Sequence, residues 1–168
     1  MEEEARIAPV RPDSRSQVPL LWFLGVAVAV VALDQLTKLV IVAWLDKGDR
    51  FPSEGPLRLV HVTNTGAAFG MFQGAGFLLA LASIAGVAAI AIYMLSPGFA
   101  HPLLRFCLAL MLGGAMGNLV DRIRNGEVVD FLKFPAWPAF NIADSAISVG
   151  VVLLLWVMIV SPPAPDGS

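Results

Sequence analysis

Four runs of this chain are each long and apolar enough to cross a bilayer: about Leu20 to Leu45, Gly76 to Leu95, Leu103 to Val120 and Ala143 to Val160. A helical span needs roughly 20 predominantly apolar residues, so four of them consume most of a chain of 168. Hydrophobic residues make up 57% of it and charged residues only 14%, too apolar for a soluble domain. The expected class is an all-α membrane protein, a four-transmembrane-helix bundle, with residues 19–160 forming the membrane domain. The polar, proline-bearing tails 1–18 and 161–168 are expected to be disordered. The first run opens like a signal peptide, but Asp34-Gln35-Leu36-Thr37-Lys38 breaks it and further spans follow, as in a retained helix.

An even number of spans places both termini on one side. Arg6, Arg11 and Arg15 favour a cytoplasmic start, whereas Lys47, Arg50 and Arg58 in the first connection and Arg122, Arg124 and Lys133 in the last weigh against it. Both termini are taken as cytoplasmic because the first helix usually dominates. The two long connections then share the opposite side. Leu57 to Asn64 has partial strand alternation, and Asn125-Gly126 is a tight-turn signal before the extended run Glu127 to Phe131. A small extramembrane β element on the membrane surface is expected, with Trp137 at the interface.

Within this apolar frame the carboxylates stand out. Asp144 lies about five residues inside the apolar stretch Ala139 to Val160, in Phe140-Asn141-Ile142-Ala143-Asp144-Ser145. A carboxylate within a span costs free energy unless it faces protein or water, and such a residue is a functional candidate by default. Gly117-Asn118-Leu119-Val120-Asp121-Arg122 repeats the Asn-x-x-Asp spacing, and Val128-Val129-Asp130-Phe131-Leu132 embeds a third acid among apolar neighbours. Asp121, Asp130 and Asp144 therefore converge near one membrane face. Each Asn-x-x-Asp pair can share a helix face, either bonding internally or facing a site. Asp34 and Lys38, four apart, can form an ion pair or leave Lys38 to snorkel outward. Asn64, before a glycine, suits an Asx-type turn or donation to a substrate backbone, the second being preferred.

Five ordered blocks now resemble a family: Asp34 to Lys38; Asn64-Thr65-Gly66-Ala67-Ala68-Phe69; Gly113-Gly114-Ala115-Met116-Gly117-Asn118-Leu119-Val120-Asp121-Arg122; Val128 to Phe131; and Phe140 to Ser145. They look like the signature of bacterial lipoprotein signal peptidase, also called signal peptidase II, over about residues 20 to 160. Departures lie in the tails and in Lys47 to Pro56. The resemblance implies an intramembrane aspartyl endopeptidase that removes the signal peptide from diacylglyceryl-modified prolipoproteins by cutting just before the lipidated cysteine. Asp130 and Asp144 match its catalytic pair. Asp34, Asn64, Asn118, Asp121, Arg122 and Asn141 are expected to bind substrate or order the site, with Asp121 the partner of the Arg122 charge.

The chemistry of the pair agrees with that expectation. Peptide hydrolysis by two carboxyls needs one ionised, to draw a proton from water, and one protonated, to donate to the carbonyl oxygen; close like charges separate the two titrations. No metal or other cofactor is expected: His61 and His101 are isolated, the lone Cys107 lies in an apolar run, and no serine has a Gly-x-Ser-x-Gly context. The net charge of -2 gives no sign of a nucleic-acid partner, and none is expected. The expected partners are lipidated prolipoproteins and membrane lipid. A monomer in the bacterial cytoplasmic (inner) membrane, with its active site toward the outer face, is the expected arrangement. Gly70-x-x-x-Gly74 and Gly113-x-x-x-Gly117 allow close helix approach, the first suiting a loop bend equally well; small Gly113, Gly114 and Gly117 would alternatively leave room for substrate backbone or lipid. The alternative function is a small proton-coupled transporter or channel subunit, with Asp34, Asp121, Asp130 and Asp144 as a proton relay.

Overall fold

The structure, a computed structural model, describes residues 18–65, 76–96 and 101–160. The expected disordered tails fall outside the described residues apart from residue 18, as do Gly66 to Phe69 and the Gly70–Gly74 pair. Four helices, α1 (Leu20–Trp44), α2 (Gly76–Leu95), α3 (Pro102–Asn125) and α4 (Ile142–Val160), are long and apolar enough to cross a membrane. The chain is a multi-pass helical membrane protein, with a three-stranded antiparallel sheet added at one end.

α3 is the central helix, packed against each of the others. Half of its most apolar window is buried inside the protein, against 22% or less for the other three, whose outer faces are lipid-facing leucine, isoleucine and valine. Its glycines explain the close approach. An added Cβ would meet the Ala27 carbonyl oxygen at 2.6 Å at Gly113, and Asp34 Oδ2 at 2.7 Å at Gly117. At Gly114 it would collide with the Ala143 carbonyl oxygen. The space directly over these glycines is therefore taken by α1 and α4, as the small-residue spacing implies, although Gly113 also lines an apolar groove with Ala27, Val28 and Met116.

α1 buries Phe23, Ala27, Asp34, Lys38 and Ile41, one stripe at helical spacing, so its two charged residues point inward. Lys38 is 4% exposed, which rules out outward snorkelling. α3 runs five residues past the expected end at Val120 and stops at Gly126, whose φ of 73° is the left-handed C-cap conformation that glycine adopts without strain. Asn125-Gly126 is thus a helix stop and not a hairpin turn.

The two long connections meet in the sheet. Strand β1 (Arg50–Phe51), absent from the sequence expectation, pairs with β2 (Arg58–Asn64), which pairs with β3 (Val128–Lys133). β3 is buried through Val128, Val129, Asp130 and Phe131. Beyond it the chain folds back, with Leu132 N–H donating to the Phe140 carbonyl at 2.8 Å and Phe140 N–H to the Leu132 carbonyl at 2.9 Å. That short return sets the start of α4 beside β3.

Candidate active site

Asn141 joins the two elements. Its Oδ1 accepts the Asp144 backbone N–H at 2.9 Å, an N-cap bond that satisfies a helix-end donor of α4. The same side chain is fully buried, and its Nδ2 donates to Asp130 Oδ1 at 2.8 Å while also facing Asn118 Oδ1 at 3.1 Å and the Val129 carbonyl at 3.3 Å. Asp144 stands in the first turn of α4, where the helix dipole favours negative charge. Asn118 of α3 donates from Nδ2 to Asp144 Oδ1 at 2.7 Å. From β2, Asn64 donates from Nδ2 to Asp130 Oδ2 at 3.2 Å, across a pairing in which Asp130 faces Val62.

Asp130 and Asp144 open on one cleft of about 450 Å³, also lined by Asn64, Asn118, Arg122, Trp137 and Ser148. Asp130 is 3% exposed. Burial, reinforced by the Asp144 charge, pushes its carboxyl up to about 7, against the smaller downward pull of the Asn64 and Asn141 amides and of Lys38. A buried acid that keeps its proton near neutrality beside a second carboxylate is the combination that acid–base chemistry requires, and the titration of such neighbours belongs to the two together.

Behind the cleft lies a second charged group. Lys38 Nζ sits 2.8 Å from Asp34 Oδ2 and 2.8 Å from Asp121 Oδ2. It also donates to Asn118 Oδ1 at 3.2 Å. Gln35 Nε2 bridges the same acids, at 2.9 Å from Asp121 Oδ1 and 3.2 Å from Asp34 Oδ2. Asp34 Oδ1 accepts the Ala143 N–H at 3.0 Å and Asp121 Oδ2 accepts the Val129 N–H at 3.3 Å, so the cluster also holds the backbone just before each acid of the cleft.

All eight candidate residues are therefore in two adjoining groups: Asp130, Asp144, Asn64, Asn118, Asn141 and Arg122 around the cleft, Asp34 and Asp121 behind it. Neither asparagine bonds the carboxylate three positions on: Asn118 reaches Asp144 on α4, and Asn141 bonds the Asp144 backbone N–H. Asp121 is only the third partner of the Arg122 charge, after Asp144 and Asp130. It is taken by Lys38 and Gln35, while Arg122 Nη1 donates to Ser83 Oγ of α2 at 3.3 Å. Gln35 and Ser83 were not singled out in the sequence. Gln35 carried a signal, being a polar residue next to Asp34 within an apolar run; Ser83 is one hydroxyl in a span and carried none. Among the described residues no cluster of three His, Cys, Asp or Glu side chains is placed to hold a metal ion.

A family model described as Signal peptidase (SPase) II matches residues 26–160. Proteins named lipoprotein signal peptidase from Cupriavidus necator and Moorella thermoacetica are each 42% identical, the first over 90% of this chain and 90% of its own length, the second over 82% and 92%. A solved structure described as a bacterial membrane enzyme superposes with a TM-score of 0.79 at 29% identity, covering 88% of this chain and 94% of its own.

Proposed function

The chain belongs to the signal peptidase II family and is a peptidase, and from that premise we propose that Asp130 and Asp144 are the carboxylates with which it removes signal peptides from prolipoproteins. The observation that carries this reading is one cleft holding two acids from different elements, each met by asparagine amides. Asp144, at a helix N-terminus and bonded to Asn118, is the ionised base that draws a proton from a water lying between the acids. Asp130, with its proton held up to about 7, donates to the carbonyl oxygen as the water attacks. The tetrahedral intermediate collapses, the C–N bond breaks, and the leaving amine takes a proton from the pair. The scissile bond is the one just before a diacylglyceryl-modified cysteine. No resident cofactor takes part.

Asn64, Asn141 and Asn118 hold the acids in this geometry, and Arg122 gives the cleft a positive wall. The protein works as a monomer in the cytoplasmic (inner) membrane, with both termini cytoplasmic and the sheet and cleft toward the outer face. A detergent cleavage assay with lipidated and unlipidated precursor peptides tests this reading. Wild type should cut only the lipidated peptide, and Asp130→Asn and Asp144→Asn should each lose at least about a thousandfold in rate while remaining folded in the membrane. Cleavage within a few-fold of wild type in either variant overturns the assignment, and equal cutting of the unlipidated peptide overturns the substrate.

A further inference from the structure

Asn118 has an amide whose two ends look alike in shape and opposite in chemistry. Only one orientation serves the cleft, with Nδ2 toward Asp144 and Oδ1 away from it. Rotation by half a turn would aim an acceptor at a carboxylate. The amide's surroundings fix the choice: Oδ1 accepts from Lys38 Nζ at 3.2 Å and from Asn141 Nδ2 at 3.1 Å, and both of those are donors that cannot accept in return. Asn141 is itself committed, because its Oδ1 caps α4. Lys38 is the remaining free choice in the network. Its ammonium is buried, side chain 5% exposed, and is aimed by Asp34 of the same helix and Asp121 of α3.

We infer that Lys38 is a positioning residue of the reaction: held between Asp34 and Asp121, it locks the Asn118 amide so that Nδ2 donates to Asp144. Lys38 makes no hydrogen bond to either acid of the cleft; apart from the pull of its charge on Asp130, it reaches the site through Asn118. This inference rests on Asp144 being one of the reacting carboxylates. It assigns a chemical task to a cluster whose ion pairs alone would merely hold α1 to α3. The consequence concerns turnover more than binding. With the lock gone, Asn118 samples the flipped orientation, in which Asp144 loses its donor and faces an acceptor, while the other residues lining the cleft keep their places.

A double-mutant cycle decides it, with kcat and KM measured on a lipidated precursor peptide in detergent for wild type, Lys38→Met, Asn118→Ala and the pair. Lys38→Met should lower kcat by about ten- to a hundredfold, the scale of a misplaced catalytic group, with KM nearly constant. In the Asn118→Ala background the same change should alter kcat by less than about threefold, because residues acting in series are not additive. Removing the lysine alone strands two buried carboxylates, so Lys38→Met combined with Asp34→Asn, which removes one charge of each sign, serves where the single variant does not fold. Equal losses with and without Asn118, or a loss larger than that of Asn118→Ala itself, overturn the inference and leave Lys38 as scaffold. Normal cleavage by Asp144→Asn, run alongside, would instead remove the underlying carboxylate-pair reading.

Discussion

Lys38 and Asp130 are almost equally buried, at 4% and 3% exposed, yet they sit in opposite electrical company. Lys38 has carboxylates at 2.8 Å on two sides, one from its own helix and one from α3. Asp130 has two neutral amides and, across the cleft, a second acid. Burying a charge is tolerable when opposite charge and hydrogen bonds compensate it, and where they do not, the group keeps or sheds a proton instead. The compensated cluster ties helices together; the uncompensated one holds a titratable proton near neutral pH. Perturbed acids of the second kind mark sites of chemistry more often than scaffolds.

The sharpest way to break this contrast is to strip compensation from the first region. Asp34→Ala leaves Lys38 with one carboxylate and takes the acceptor from the Ala143 N–H, so it should destabilise the protein by about 3–5 kcal/mol. Thermal unfolding in detergent and the amount recovered from membranes measure this, and a melting point like that of wild type would dissolve the distinction. Arg122→Ala tests the other region, where the arginine lines the cleft with both acids. Cleavage should fall by about ten- to a hundredfold. Because Asp121 is occupied by Lys38, the lost cation comes from the vicinity of the pair, and the acid limb of the pH–rate profile should move upward. An unmoved limb would make Arg122 a scaffold residue.

A smaller effect appears in stability against pH. The Asp130 carboxyl, which in an unfolded chain titrates near 3.8, holds its proton up to about 7 in the folded protein. The folded state then binds more protons across that interval, so the residue is least costly below the lower value and becomes more costly as pH rises through the upper one. Relative to Asp130→Asn, wild type should therefore lose stability between those two values and change no further above them. Melting curves of both proteins across pH check this; a constant difference contradicts it. Least is expected of the exposed Lys47–Glu127 pair at 3.1 Å, where Lys47→Ala should change stability by less than about 1 kcal/mol and cleavage not at all.

The spans and the site were legible in the sequence to different depths. Helices α1, α2 and α4 follow from long apolar runs, although Asp34 to Lys38 interrupt the first and Asp144 the last, because a bilayer demands length and overall apolarity within one contiguous segment. The end of α3 does not, since Asp121 and Arg122 interrupt the run while the backbone continues helical to Asn125. β1 was invisible: two residues pair with β2 only because the loop carries them there, and two residues hold no periodicity. Carboxylates in apolar surroundings disclosed Asp34, Asp121, Asp130 and Asp144. Their partners were disclosed less well. Adjacency suggested Asp121 with Arg122, but neighbours in a helix point about 100° apart, and the inward stripe of α1 delivers Lys38 instead.

The asparagine before α4 leads to one more consequence, for what evolution can change there. As caps, asparagine, aspartate and serine are nearly interchangeable. Aspartate carries no hydrogen to offer Asp130 and would add a third negative charge, and serine has one hydroxyl where the planar amide supplies an acceptor and two hydrogens. At position 141 the helix would accept several residues, while Asp130 is served only by the amide. On the proposed reading, the carboxylate at 130 narrows the substitution tolerance of this position beyond what capping the helix demands, so a variant that still caps α4 should lose cleavage.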